Sequence, residues 1–284
     1  MSRPSHRQVA LAAALAGLVV PGRLAAPQGT GVVNCVAQGR PVGRWNLPPT
    51  LRETSGLALS DDGRLFSHND EQGIIFEIDY RQGRLAKTFF LGPGTPRDDF
   101  EGIAIAGPRF FLVTSSGRLY EAREGRDGGV VPFTMTLTHV GRLCEVEGLA
   151  YEPRDRTLLL ACKRPRVKEL GDVVAIFRWS LDRNAPATPD RIAVPLADLA
   201  KGRSGQGFHA SGIERDPRTG HYLLVAAVDH AIAEVDSSGK VLATAQIGHH
   251  HQAEGIALTP DGTVLISDEG GRRGPGMLSV YACR

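Results

Sequence analysis

Five times along the chain a polar residue, a glycine and a short apolar run follow one another. The stretches are "RETSGLALSD", "DDFEGIAIAG", "CEVEGLAYEP", "HASGIERDP" and "HQAEGIALTP". Aligned on Gly56, Gly102, Gly148, Gly212 and Gly255, they stand 46, 46, 64 and 43 residues apart. A repeat in the forties is the mark of a propeller blade of four strands, a unit that buries its faces only by stacking on copies of itself. The residues between the glycines fit that reading. After Gly56 come "RLFSHND", "IIFEIDY" and "GRLAKTFFL", separated by "DDG" and "EQG" turns, and the later units repeat the pattern with Thr-Gly, Ser-Gly and Asp-Gly turns. A β-sandwich also has many short strands, but not similar blocks sharing one phrase.

The expected fold is therefore all-β, a β-propeller of four-stranded blades. Five blades follow from the five phrases, and six remain open because the third unit is longer. Its excess lies in "KRPRVKELGD", read as a loop after the second strand, and in "LADLAKGRSGQGFH", read as a link with one helical turn. The last unit ends at Arg284 one strand short, and "RPVGRWNLPP" near the N-terminus supplies the missing outer strand, closing the ring.

The N-terminus reads as a secretory signal peptide over residues 1–26: basic "MSRPSHRQ", apolar "VALAAALAGLVV", then small residues ending at Ala26. Residues 27–284 then form a single propeller domain, exported to the periplasm or beyond the cell, with no membrane span and expected to be a monomer. A net charge of +2 gives no reason to expect nucleic acid. In an oxidising compartment four cysteines read as two disulfides rather than a zinc site, since no two stand at C-x₂₋₄-C spacing. Cys35 beside the closing strand pairs with Cys283 in the last strand. Cys144 and Cys162, at one edge of a hairpin in the third blade, pair with each other.

In a propeller the innermost strand of each blade lines the central channel, and each phrase opens that strand. Ser55, Glu101, Glu147, Ser211 and Glu254 are thus expected as a ring at one face. The ends of the second strands reach the same face with Asn69, Asp70 and Glu71, Ser115 and Ser116, Lys163, Asp229 and His230, and Asp268 and Glu269. Converging carboxylates must share protons or hold a cation. Oxygen donors alone favour calcium or another hard divalent ion, so Glu101, Glu147, Glu254 and Asp229 are the candidate metal ligands. The competing reading is structural, with the acids bonded to neighbouring blades and sealing the ring. Glu53, Ser55, Asn69, Glu71, Ser211, His209, His251, Glu269 and Lys163 are placed around the mouth as ligand-contacting residues. His249 and His250 lie on the same approach. "KRPRVK" is read as a solvated loop, with Arg272 and Arg273 on another.

"ETSGLALS…LFSHNDEQGIIFEID", "DDFEGIAI", "EVEGLAYEP" and "AEGIALTPDGTVLISDE" resemble the SdiA-regulated domain family of exported bacterial β-propellers, over roughly Arg52 to Tyr281. The resemblance implies a polar, calcium-binding top face and no known substrate; the first functional reading is a cation-holding propeller that binds a small-molecule or protein ligand over its acidic mouth. More distantly, the architecture is similar to β-propeller phytases and to calcium-dependent lactonases and phosphotriesterases. On that analogy the alternative is a metal-dependent esterase or phosphoesterase, with His68, Asp70 or Asp268 activating water beside the metal. The chain lacks the lactonases' Glu-Gly-Pro opening.

Overall fold

A computed structural model describes Met1 and residues 31–182, 189–271 and 274–283. The signal-peptide expectation and the pair Arg272–Arg273 fall outside these residues. Five antiparallel blades stand in a ring. The first comprises Thr54–Leu59, Leu65–Asn69, Ile74–Asp79 and Arg84–Leu91, and the second Phe100–Ala106, Arg109–Thr114, Arg118–Arg123 and Phe133–Leu137. The third comprises Cys144–Glu152, Thr157–Pro165, Val173–Ser180 and Asp190–Pro195, and the fourth Gly212–Arg215, Tyr222–Ala226, Ala231–Val235 and Val241–Gln246. Ala253–Leu258, Thr263–Asp268 and Met277–Ala282 make three strands of the fifth, and Gly43–Asn46 pairs with the last of them as its outer strand. The anticipated ring closure is thus formed, and Trp45 of the closing strand donates its indole N–H to the Tyr80 carbonyl of the first blade at 3.1 Å.

The phrase glycines explain how five backbones meet at the axis. A Cβ on Gly102 would lie 2.7 Å from the Leu149 nitrogen, and one on Gly148 would lie 3.2 Å from the Gly212 Cα. On Gly212 it would stand 2.8 Å from the Glu254 carbonyl oxygen, on Gly255 3.0 Å from the Gly56 carbonyl carbon, and on Gly56 3.3 Å from the Ile103 nitrogen. Each glycine therefore abuts the next blade in chain order, and the circle closes from the fifth blade to the first. The axial void at this waist is about 10 Å³, room for about one water molecule.

In four of the five blades the residue before the glycine is placed by a β-bulge; in the fourth, Ser211 lies just ahead of the strand, which begins at Gly212. Thr54 pairs with Asn69 and Gly56 with His68, so Ser55 has no partner across the strand. Glu101 and Glu254 are left over in the same way, between Phe100 and Gly102 and between Ala253 and Gly255. In the third blade the register slips between Val146 and Leu149, the interval holding Glu147. A bulge frees a side chain from the in–out alternation of the strand and re-aims it. Apolar residues on the remaining positions pack between blades, as with Phe66, Phe89, Phe100 and Phe110 between the first and second.

Several local features differ from the sequence reading. Gly31–Gln38 is an α-helix, with Val32, Val33 and Val36 buried between the fourth and fifth blades. Gly129–Val131 crosses to the first blade and pairs in parallel with its outer strand, covering an edge. The second strand of the third blade runs through Pro165, so Lys163 lies on it as its place at the strand end required, while Arg164 and Pro165, read as loop, continue the sheet. The link to the fourth blade does contain one helical turn, Leu196–Leu199.

Cys35–Cys283 is bonded, 248 residues apart. The second anticipated disulfide is not: Cys144 and Cys162 are free and buried. The bulge shifts the register so that Cys144 faces Pro165 and Cys162 faces Val146. The thiols meet in a hydrogen bond, the first cause that raises the Cys144 thiol.

Two outcomes follow. Gly102→Ala places a methyl against backbone atoms that cannot rotate away, so it should destabilise the protein by about 2 kcal/mol or more in denaturant unfolding. An exposed turn glycine such as Gly63 accepts alanine in space, though not in its left-handed φ of +78°, and should lose only about 1 kcal/mol. Cys35→Ser should lower stability by about 5 kcal/mol in the chain-entropy account, an effect matched in the native protein by reductant.

Candidate functional site

Glutamates from three blades converge on one amine at the top of the waist. Lys163, at the end of the second strand of the third blade, sets its Nζ 2.8 Å from Glu147 Oε1. Glu101 and Glu254 act electrostatically on the same ammonium. Glu147 and Glu254 are buried, 3% and 8% exposed, and Lys163 has only 13% of its side chain accessible. Burial raises all three carboxyls. For Glu101 the next causes are the charges of Glu147 and Asp99. For Glu147 the Lys163 ammonium opposes the rise, and the 2.8 Å contact marks it as the ion-paired member. Glu254 is pushed up to about 8, burial outweighing Lys163. One ammonium thus serves three carboxyl groups in a poorly solvated ring.

A second acidic group lies further out, between the first and fifth blades. Burial and then the neighbouring Glu53 push Asp70 up to about 6, with Glu269 and Glu71 adding to the rise. Glu269 is raised by burial and by Glu53 in turn. One oxygen of Asp70, Oδ1, is buried without a hydrogen-bond partner. Glu53 and Glu71 are exposed, and Glu71 approaches Arg97 at 4.0 Å. Asn69 accepts from the Gln72 amide at 3.1 Å, which fixes the turn below Asp70.

Other sequence-selected residues have separate local roles. The Ser211 hydroxyl donates to the Ala253 carbonyl at 2.6 Å, joining the fourth blade to the fifth. Ser55 is buried at the waist void beside Glu254. Asp229 accepts from His209 Nδ1 at 3.1 Å and from the His209 amide, so this pair belongs to the upper edge of the fourth blade. His251 is exposed. His68 is fully buried beside Gly56; its Nδ1 donates to the Asn69 carbonyl at 2.8 Å, and burial pulls the imidazole down to about 4. Asp268 accepts from His250 Nδ1 at 2.6 Å and from the Gln252 amide at 3.1 Å. His250 Nε2 then accepts from the Tyr281 hydroxyl at 2.7 Å.

Sequence reasoning thus gathered Glu101, Glu147, Glu254 and Lys163, and it gathered Glu53, Asp70 and Glu269. It did not anticipate that Lys163 is the cation within the acid ring. It also passed over Asp99, whose charge acts on both Glu101 and Glu147, although the "DDFEG" phrase contains it. Nor did it assign His250 to Asp268; no spacing rule relates a loop histidine to a strand-end acid 18 residues later.

As arranged, the donor set does not fit a metal ion. Among the described residues no three His, Cys, Asp or Glu side chains stand at metal-holding spacing, and an ammonium already lies among the three glutamates. What the mouth offers is dispersed negative charge, suited to an ion or group that can bring the carboxylates inward or bridge them.

No protein-family profile matches the chain, and no curated protein matches it. Solved structures do. A glutaminyl cyclase from Myxococcus xanthus is 17% identical, aligning 85% of this chain with 94% of its own at a TM-score of 0.57. A PQQ-bound aldose sugar dehydrogenase from Streptomyces coelicolor is 13% identical, over 84% of this chain and 98% of that one, with a TM-score of 0.52. These likenesses establish the β-propeller fold. Among the described residues no helix is long and apolar enough to cross a membrane.

The raised carboxyls carry a pH signature. A group whose folded value lies above its unfolded value holds its proton in the native state while the unfolded chain releases it. Stability then falls as pH rises from the unfolded value through the folded one. For Glu254 that window runs from 4.5 to about 8. His68 works the other way, losing stability as pH falls from 6.5 towards about 4. Comparing Glu254→Gln with wild type cancels the His68 contribution. The melting temperature of the variant should gain several degrees on wild type between about pH 5 and pH 8. A constant difference across that range would show that Glu254 is not held protonated.

Proposed function

We propose that the protein binds a positively charged ligand at its acidic channel mouth, with Lys163 as a built-in counter-charge that an incoming cation displaces or supplements. The observation that carries this is the imbalance in the inner ring: three largely buried carboxyl groups from three blades and one ammonium. The outer set of Glu53, Asp70 and Glu269 extends the negative field towards solvent. Carboxyl groups raised by burial and mutual repulsion ionise when a cation arrives, so binding is coupled to proton release. The Cys35–Cys283 bond, the leader-like N-terminus and the resemblance to the SdiA-regulated family support placing this activity outside the cytoplasm.

Calcium is the ion that the family resemblance implies, and its oxygen-only donors would be Glu101, Glu147 and Glu254, with Asp229 held apart by His209. An organic ammonium needs less convergence than a metal and suits the present spacing better. The ester-hydrolase alternative gains no geometric support. Its nominated base His68 is fully buried beside the waist glycine Gly56, and both oxygens of Asp268 are engaged by His250 and Gln252. Asp70 alone retains a free oxygen at the mouth.

Isothermal titration with calcium and, separately, with putrescine should give saturable binding for at least one. The heat should vary with the ionisation enthalpy of the buffer, as proton release demands. Glu254→Gln should weaken the interaction about ten-fold or more, and Lys163→Met should strengthen it by removing the internal competitor. Absence of binding by either cation at millimolar concentration, in folded wild type and in Lys163→Met, sinks the proposal.

A further inference from the structure

The other end of the channel is a different environment. Below the glycine waist the inner strands diverge around a vestibule of about 670 Å³, within the range of sites for small organic molecules. Its upper wall is apolar, formed by residues such as Ile103, Leu149 and Leu258, and Tyr80 and Tyr151 also line it.

One position breaks this pattern. Two residues after the waist glycine, four blades carry alanine: Ala58, Ala104, Ala150 and Ala257. The fourth blade carries Glu214, which also lines the vestibule. Its carboxylate accepts one hydrogen bond, at 2.7 Å from the adjacent Arg215 amide. Among the described residues no cation forms an ion pair with it; Arg81, which also lines the vestibule, lies over the Tyr80 ring, its guanidinium carbon 4.8 Å from the ring centroid. The Arg215 guanidinium bonds Glu152 at 3.0 Å, and Arg64 bonds Glu77 at 3.1 Å and Glu124 at 2.9 Å. Burial pushes the Glu214 carboxyl up to about 8, with the Arg215 charge only partly opposing it. The fold gains nothing visible from this acid. Alanine serves the same position four times, and an unpaired carboxyl facing apolar walls is unfavourable.

We propose that this vestibule is a second binding site, independent of the acidic mouth, for a small organic cation: a protonated amine on an apolar body. The ammonium sits on Glu214, and the body lies against the aliphatic and tyrosine walls. Charge complementarity selects the amine, since Glu214 is the one lining acid set among alanine positions and left without a cation. The apolar inner-strand residues around Glu214 select a hydrophobic body over a hydrated metal ion, while Asp61, Asp62, Arg64, Arg81 and Asp261 also line the vestibule.

The probe is phenethylammonium, titrated calorimetrically into the full chain, with 2-phenylethanol as the uncharged analogue of the same shape. Wild type should bind the amine at least about ten-fold more tightly than the alcohol, and Glu214→Gln should abolish that preference. The Glu214-dependent preference for amine over alcohol should persist in Glu254→Gln, in which the mouth, proposed above to take organic ammonium ions as well, binds them more weakly. Tyr151→Ala should weaken both probes several-fold through lost wall contact. Thermal melts establish that each variant is folded. The preference in wild type is itself a test, so the inference stays exposed even if Glu214→Gln does not fold. Equal affinity of wild type for amine and alcohol, full amine affinity in folded Glu214→Gln, or a loss confined to Glu254→Gln would each overturn it.

Discussion

Everything functional in this molecule depends on the approach of five backbones at the waist. Blades of this length close into a ring only if their inner strands come within van der Waals distance of one another, and at those points a Cβ would meet the next strand at about 2.7–3.3 Å. Glycine satisfies that condition by having none. The same step determines where the acids go. A strand that must reach the axis and then run down the channel takes up its extra residue just before the glycine, and the bulge turns that residue out of the sheet's alternation. Glycine and glutamate are therefore two parts of one backbone device: the first lets the ring close, and the second is presented because it closes there.

Electrostatics then decides what such a ring can be. Three carboxyl groups this poorly solvated cannot all ionise around one ammonium without a large desolvation penalty. Lys163 offsets one charge, at Glu147, and the remaining two groups stay above their ordinary range. A purely architectural seal would saturate its acids with backbone amides or arginines. That is what happens to Glu152, held by Arg215, Tyr222 and the Arg154 amide, and to Asp216, held by Arg218. The contrast within one chain separates acids that hold the blades together from acids left with capacity for something else.

The parts legible in the sequence were those written in period and composition. The forties repeat gave blade number and strand order. A missing last strand and a matching N-terminal segment gave the closure, and two cysteines flanking that seam gave the disulfide. What stayed hidden depends on register and on contacts between distant segments. Cys144 and Cys162 suit a bridge until a bulge offsets them by more than one residue. "KRPRVK" looks like a solvated loop until its first lysine is seen to continue the strand into the acid ring. The helix Gly31–Gln38 follows directly on the leader-like stretch, and its three valines are too few to establish a helical period. Glu214 was visible as a glutamate in the phrase "SGIERDP", but its meaning appears only when the other four positions are seen to be alanines, three of which (Ala58, Ala104 and Ala150) line the same vestibule.

The waist also separates the two ends chemically. A void of about 10 Å³ admits a water molecule but no organic ligand, so nothing bound above reaches the space below by passing through. The glutamate ring is polar, carries an internal ammonium and opens to a rim of further acids; the vestibule sets Glu214 among apolar residues of the inner strands, with charged turn residues such as Asp61, Asp62, Arg81 and Asp261 also lining it. On the proposals above, a cation would meet carboxyl groups from three blades in the first, whereas an amine with a hydrophobic body would meet a charge partner and apolar walls together in the second. The inner strands are shared between both ends, and each phrase glycine packs on the neighbouring blade. Tightening of the carboxylates around a cation above would therefore be resisted by close-packed backbone at the waist before it could reshape the walls beneath. The ring that creates two chemically different ends is the same element that keeps them apart.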